Sequence, residues 1–147
     1  MTYKEALSKA MYLCSKTEKC KSDIRKKLYD WKANPDDIEK ILSELEKQKF
    51  IDEKRYAEYY VRDKFRFNKW GKIKIKTMLL QKQIPEKTIN KALADIPEKE
   101  YIETLKYLLK QKEKTLNDGD YYKKKQKIIR FLTSKGFETD TVLRILE

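Results

Sequence analysis

Histidine is missing altogether from the 147 residues, and glycine and proline occur only three times each. Without histidine the usual zinc ligand sets cannot be assembled, so no metal site is expected. Three glycines and three prolines cannot supply the many turns of a sandwich or barrel. Cys14 and Cys20 stand six apart, a spacing of neither metal nor redox motifs, and read as reduced thiols of a cytosolic protein. No run of 18 apolar residues is present, so no membrane span is expected. The segment Met1-Thr-Tyr-Lys-Glu-Ala-Leu7 lacks the apolar stretch of a secretory signal. Acids are also scarce beside bases, 24 against 36, which leaves a net charge of +12. Such an excess bears on partners rather than fold: nucleic acid, an anionic surface or an acidic protein groove. A lysine-rich coat kept for solubility accounts for the same excess with no partner at all.

What the chain does have is lysine, glutamate, leucine and isoleucine in quantity, the composition of an all-α protein. It also writes one pattern three times. Ile24-Arg-Lys-Lys-Leu28, Ile75-Lys-Thr-Met-Leu79 and Ile128-Ile-Arg-Phe-Leu132 begin 51 and then 53 residues apart. Ten residues past each leucine stands Ile38, Ile89 or Val142, followed by the pairs Ile41-Leu42, Ala92-Leu93 and Ile145-Leu146. A period near 50 in so short a chain marks a tandem array, which presents surfaces rather than enclosing a site. Three three-helix repeats follow, over 1–50, 51–97 and 98–147. Their later helices, about ten residues long, are marginal alone in water, so their leucine and isoleucine stripes read as core.

Helix signals agree with this division. Thr2 stands three before Glu5 as in a capping box, and Asn34-Pro35-Asp36-Asp37 supplies a cap, a first-turn proline and acids at the positive end of the dipole. Ser22 is the candidate cap of the short helix through about Trp31. Asp52 is expected to cap a helix from about Glu53 to Phe67, ended by Trp70-Gly71, and Pro85 to sit in a first helical turn. Asn117-Asp118-Gly119-Asp120 is the most loop-like stretch. Gly136 suits a left-handed helix terminus. The equivalent positions are Lys32 and Gln83, so the turn is expected to be made differently there.

The wording of these repeats carries a resemblance. Phe50-Ile-Asp-Glu-Lys-Arg-Tyr-Ala57, followed by Val61, Gly71, Ile75 and Leu79, resembles the central signature of the RecX family of RecA regulators. Ser22-Asp-Ile-Arg-Lys-Lys-Leu28 and Ser134-Lys-Gly-Phe137 resemble its first-repeat and third-repeat segments. The turn departs from the family form at Lys32-Ala33 and at Lys82-Gln83-Ile84. The resemblance implies an elongated, curved array, of either hand, that binds the RecA recombinase filament in its deep groove near the DNA. It implies altered ATP hydrolysis, strand exchange and coprotease activity, usually as inhibition, in DNA repair and the SOS response.

Candidate binding residues cluster in the middle repeat. Between Lys54 and Lys76 nine bases stand against Glu58 and Asp63, interleaved with six aromatic residues. That mixture suits single-stranded nucleic acid, with charge on phosphates and rings on bases, and equally suits a protein hot spot. Tyr56, Tyr60 and Phe65 follow the core stripe. Arg55 lies one turn from Asp52 and reads first as a local charge pair at the helix entrance. The candidate surface is Arg55, Arg62, Lys64, Arg66, Lys69, Trp70, Lys72 and Lys74, joined by Lys123, Lys124, Lys127 and Arg130 in the third repeat. The expected partner is the RecA filament, with weak contact to single-stranded DNA, no cofactor and a monomeric chain. The competing reading is a helical nucleic-acid-binding module with no recombinase partner. Catalysis is disfavoured, since no histidine, phosphate-cradling glycine loop or metal-ligand motif is present.

Overall fold

The computed structural model of the chain describes residues 1–117 and 119–147. Among them nine helices follow one another with no strand. They are α1 Tyr3–Lys16, α2 Lys21–Asp30, α3 Pro35–Lys47, α4 Glu53–Arg66, α5 Lys72–Gln81, α6 Glu86–Ala94, α7 Glu98–Thr115, α8 Tyr121–Ser134 and α9 Thr139–Leu146. Asn117, Gly119 and Asp120 lie outside helices as expected, while Asp118 falls outside the described residues.

Side-chain chemistry sets most of these boundaries. Thr2 Oγ1 accepts the Glu5 N–H at 3.1 Å, and Asn34 Oδ1 accepts that of Asp36 at 3.0 Å with Pro35 opening α3. Asp52 Oδ1 accepts the Arg55 N–H at 3.0 Å. Each satisfies one amide that a helix start leaves without a partner. Two expectations fail by a residue or two. Ser22 lies inside the first turn of α2, whose cap is Cys20, because Asp23 reaches back to accept the Cys20 N–H at 3.3 Å. Pro85 precedes α6 rather than opening it, and its carbonyl accepts the Ile89 N–H at 3.0 Å.

The chain forms two compact units, Met1–Tyr59 with Leu79–Ile89 and Tyr60–Met78 with Asn90–Glu147. In the first, α1, α2 and α3 enclose a core of Ala6, Ala10, Ile24, Leu28, Ile41, Leu42 and Leu45, with Ile38 and Trp31 partly buried against it. Both cysteines are buried and unpaired there, and burial pushes the Cys14 thiol up to about 11, far from a nucleophile's range. In the second unit α8 packs on α7 and α9. The Tyr101 ring lies between Phe65 and Phe137, at centroid distances of 5.8 and 5.2 Å.

The three repeated leucines, Leu28, Leu79 and Leu132, are fully buried, and each anchors the same turn. Ala33, Ile84 and Phe137 donate their N–H to the carbonyls of those leucines at 3.0, 3.2 and 3.3 Å. Lys32, Gln83 and Gly136 donate to the next residue's carbonyl at 3.0, 2.9 and 3.0 Å. These paired bonds define the Schellman motif, and all three residues have left-handed φ of 59°, 65° and 101°. The expectation that Lys32 and Gln83 need another turn is therefore wrong. The left-handed cost of about 1 kcal/mol for a side chain is small enough to be absorbed twice.

Glycine at position 136 has a different cause. A Cβ there would lie 2.4 Å from Lys74 Cβ, and one on Gly71 would lie 2.3 Å from the Gly136 carbonyl carbon. Two backbones touch at this point. The Gly71 and Ile73 N–H groups donate to the Lys135 and Gly136 carbonyls at 2.8 and 2.9 Å, and the Lys72 N–H donates to Tyr101 Oη at 3.0 Å. Tyr101 in turn donates to the Glu138 carboxylate. The amides opening α5, which no intrahelical carbonyl can serve, are thus capped by the third repeat. Gly136→Ala is expected to lower unfolding free energy by about 2–4 kcal/mol through overpacking and strain, whereas Lys32→Gly raises it by up to about 1 kcal/mol. Chemical denaturation of both variants checks this; a loss at Gly136→Ala no larger than the gain at Lys32→Gly would mean that the turn alone explains the glycine.

Candidate partner interface

Four lysines of the middle repeat, Lys64, Lys69, Lys72 and Lys74, sit on aromatic rings instead of beside carboxylates. Lys64 and Lys74 lie over Trp70, their Nζ atoms 5.2 and 4.5 Å from its centroid. Lys69 lies over Tyr107 at 5.7 Å and Lys72 over Tyr101 at 4.8 Å. A ring's quadrupole holds an ammonium in place for about 0.5–1 kcal/mol at an exposed site without cancelling its charge. The local backbone prepares this grouping: Lys69 adopts a left-handed φ of 55°, and the Trp70 N–H returns to the Lys64 carbonyl at 3.1 Å. Trp70 is thereby folded back over the end of α4, where Lys64 from α4 and Lys74 from α5 meet it. The ring anchors lysines of its own chain. Phe67, four-fifths exposed, is left uncovered.

Lys135, which sequence reasoning passed over, joins the group. Its Nζ donates to the Asn68 carbonyl at 3.0 Å, and Lys69 Nζ donates to the Arg66 carbonyl at 3.3 Å, both at the negative end of α4. Partial burial, then the charges of Lys74 and Lys69, hold the Lys135 ammonium below its ordinary pKa. Among the described residues none of Lys69, Lys74 and Lys135 has a carboxylate within ion-pairing distance.

The other candidates stand apart from this group. Arg66 pairs at 3.6 Å with Glu100, both largely exposed, a contact worth well under about 1 kcal/mol. Arg62 is exposed on α4. Lys123, Lys124, Lys127 and Arg130 lie along α8, whose start is capped by Asp120. Arg55 has another role. Its Nε meets Glu18 at 2.6 and 2.9 Å, and its Nη2 reaches the Lys49 and Phe50 carbonyls at 3.1 and 3.4 Å. The expected Asp52 charge pair is replaced by this one, because Asp52 is already turned to the Arg55 amide. The planar guanidinium ties α1's exit to the end of α3, a task that a lysine cannot duplicate.

Family comparison matches two stretches of the chain. Residues 52–93 fit the model of the second three-helix domain of RecX, and residues 98–146 fit that of the third. The regulatory protein RecX of Clostridium acetobutylicum is 32% identical over 99% of this chain and 69% of its own length. This chain belongs to the RecX family. The regulatory protein RecX of Neisseria gonorrhoeae is 31% identical, covering 98% of this chain and 90% of its own. The crystal structure of RecX from Lactobacillus salivarius superposes with a TM-score of 0.87 at 26% identity, covering 98% of this chain and 94% of that one. The all-helical, repeated three-helix architecture read from the sequence is the RecX architecture.

Placing this RecX chain's repeats in register exposes a contrast that no single repeat shows. Asp23 and Lys74 both precede the repeated isoleucine, and Lys82 and Lys135 both precede the left-handed turn residue. In the first compact unit the pair is a salt bridge, Lys82 Nζ to Asp23 Oδ1 at 2.8 Å, both under a third exposed. In the second unit the same two places hold lysines. Burial works against ionisation of Asp23, but Lys82 and the Cys20 N–H outweigh it and hold the carboxyl below its ordinary 3.8. The stabilisation from Asp23 is therefore present above that value and lost as pH falls through the lowered one. Asp23→Asn is expected to be less stable than wild type at pH 7, the gap closing below pH ~4; a gap independent of pH would refute the pair's contribution. Arg55→Ala is expected to cost about 1–2 kcal/mol in denaturant unfolding. Unchanged stability with lost partner binding would instead make Arg55 a contact residue.

Proposed function

We propose that this RecX chain is a non-catalytic modulator, in the inhibitory direction, of the RecA recombinase filament. It acts as a cytoplasmic monomer that occupies the filament groove beside the DNA and lowers ATP hydrolysis, strand exchange and coprotease activity. Support comes from family membership, since the relatives are named regulatory proteins. The observation that carries the reading is the group Lys64, Lys69 and Lys74, held on Trp70 and Tyr107 with charge left over. Fixed, un-neutralised ammonium groups among aromatic side chains offer the hot-spot chemistry of a protein partner and the electrostatics of nearby phosphates. Among the described residues no group of three or more metal-ligating side chains gathers, and no helix is long and apolar enough to cross a membrane.

The test is ATP hydrolysis by RecA filaments assembled on single-stranded DNA, titrated with this protein. Hydrolysis is expected to fall several-fold near stoichiometric addition, and a Lys64→Glu, Lys69→Glu, Lys74→Glu variant is expected to lose at least tenfold in potency while remaining helical by circular dichroism. Unaltered hydrolysis at tenfold excess of wild type would refute the reading. Salt-sensitive DNA binding without any effect on filaments would select the nucleic-acid module instead.

A further inference from the structure

The two registered positions described above suggest what the lysine group takes from outside. Where Asp23 faces Lys82, the fold holds a salt bridge capped into its own helix start. Where Lys74 stands in place of Asp23, a backbone contact brings two like-charged side chains out of the chain side by side. The Gly136 backbone lies against Lys74, whose Cβ would be 2.4 Å from an added one, and the charge of Lys74 acts on Lys135. Lys69 adds a third positive charge to the same neighbourhood. An acid at position 74 would serve the chain better on both counts, because it would pair with Lys135 and would lie in the first turn of α5, where negative charge is favoured. The bonds that fix these ammonium groups go to rings and to the Asn68 and Arg66 carbonyls, which orient charge without neutralising it. An ammonium has three N–H donors, so each lysine tied to one carbonyl has two left over.

We propose that Lys69, Lys74 and Lys135 form a binding site for one phosphodiester group of a single-stranded nucleic acid, the phosphate standing where Asp23 stands in the first unit. This deepens the reading of the basic surface given above and rests on its placing that surface beside DNA. The side-chain set favours phosphate over an acidic peptide. Ammonium groups act as point charges that suit a phosphate oxyanion approached from several directions. The exposed Phe67 of the same segment leaves a ring available to a base, which an acidic peptide does not supply. The arginine of this segment, Arg66, is turned to Glu100. The site belongs to the second and third repeats together, since Lys69 and Lys74 come from one and Lys135 from the other.

Lys74→Asp tests the proposal because it writes the first unit's salt bridge into the second. Thermal unfolding of this variant is expected at a higher temperature than wild type. Its affinity for a fluorescent oligo(dT), by anisotropy, is expected to fall tenfold or more, with the slope of log K against log salt shallower by about one. Lys40→Asp, the same charge change on the exposed side of α3, is expected to alter affinity less than threefold. Lys135→Gln, which relieves the repulsion without placing an acid, is expected to keep the fold and lose several-fold in affinity. Equal losses from Lys74→Asp and Lys40→Asp would overturn the site as general charge. So would a poly-glutamate peptide bound by wild type more tightly than the oligonucleotide, and so would wild type that does not bind the oligonucleotide. RecA hydrolysis, measured separately, keeps the two readings distinct: inhibition by wild type that binds no oligonucleotide refutes this site and leaves the filament reading intact.

Discussion

Two glycine backbones in contact, Gly71 against Gly136, constrain everything else in the second compact unit. The approach is too close for any Cβ, and it delivers the Lys135 and Gly136 carbonyls to the first amides of α5. With Tyr101 supplying the third partner, the start of one repeat's helix is completed by the turn of the next. Tandem arrays gain stability from such neighbour terms more than from any repeat alone. The contact also fixes side chains that it does not itself need. Lys74 leaves the chain three residues after Gly71 and Lys135 one residue before Gly136, so a backbone requirement decides where two charges meet.

The electrostatics of the surface follow from this. A lysine beside a carboxylate is spent within its own chain; a lysine over an indole or phenol is placed but keeps its charge. In the first unit the first choice is made at Asp23 and Lys82, at Arg25 and Glu39, and at Arg55 and Glu18, beside Lys9 and Lys16, which lie over Trp31 and Tyr12. In the second, Lys64, Lys69, Lys72 and Lys74 all make the other. The net charge of +12 is therefore not a uniform coat. Four of the middle repeat's lysines, Lys64, Lys69, Lys72 and Lys74, are held on rings, as a binding surface requires and solubility does not.

How far this could be read from the sequence depends on the range of each interaction. The buried stripe at Leu28, Leu79 and Leu132 was legible because helical period and repeat spacing are local properties, and Tyr56, Tyr60 and Phe65 followed from the same stripe. The left-handed turns at Lys32 and Gln83 were misread because glycine at the equivalent Gly136 looked like a demand of the turn. Its real cause is a neighbour 65 residues earlier, Gly71. Arg55 was assigned to Asp52 because they are one turn apart, yet its partner Glu18 is 37 residues away and no local rule points to it. Lys135 was missed for the same reason, although aligning the repeats sets it beside Lys82 and sets Lys74 beside Asp23. That alignment was the available signal.

The central claim is that the lysine and aromatic surface of the middle repeat, completed by the third-repeat turn, is what a partner meets. Hydrogen exchange read by mass spectrometry, on this protein alone and bound to RecA filaments on single-stranded DNA, tests it most directly. Protection on binding is predicted to concentrate in residues 64–74 and 133–138, with the exposed face of α3 unchanged. Protection confined to α1–α3, with 64–74 exchanging as in the free protein, would contradict it.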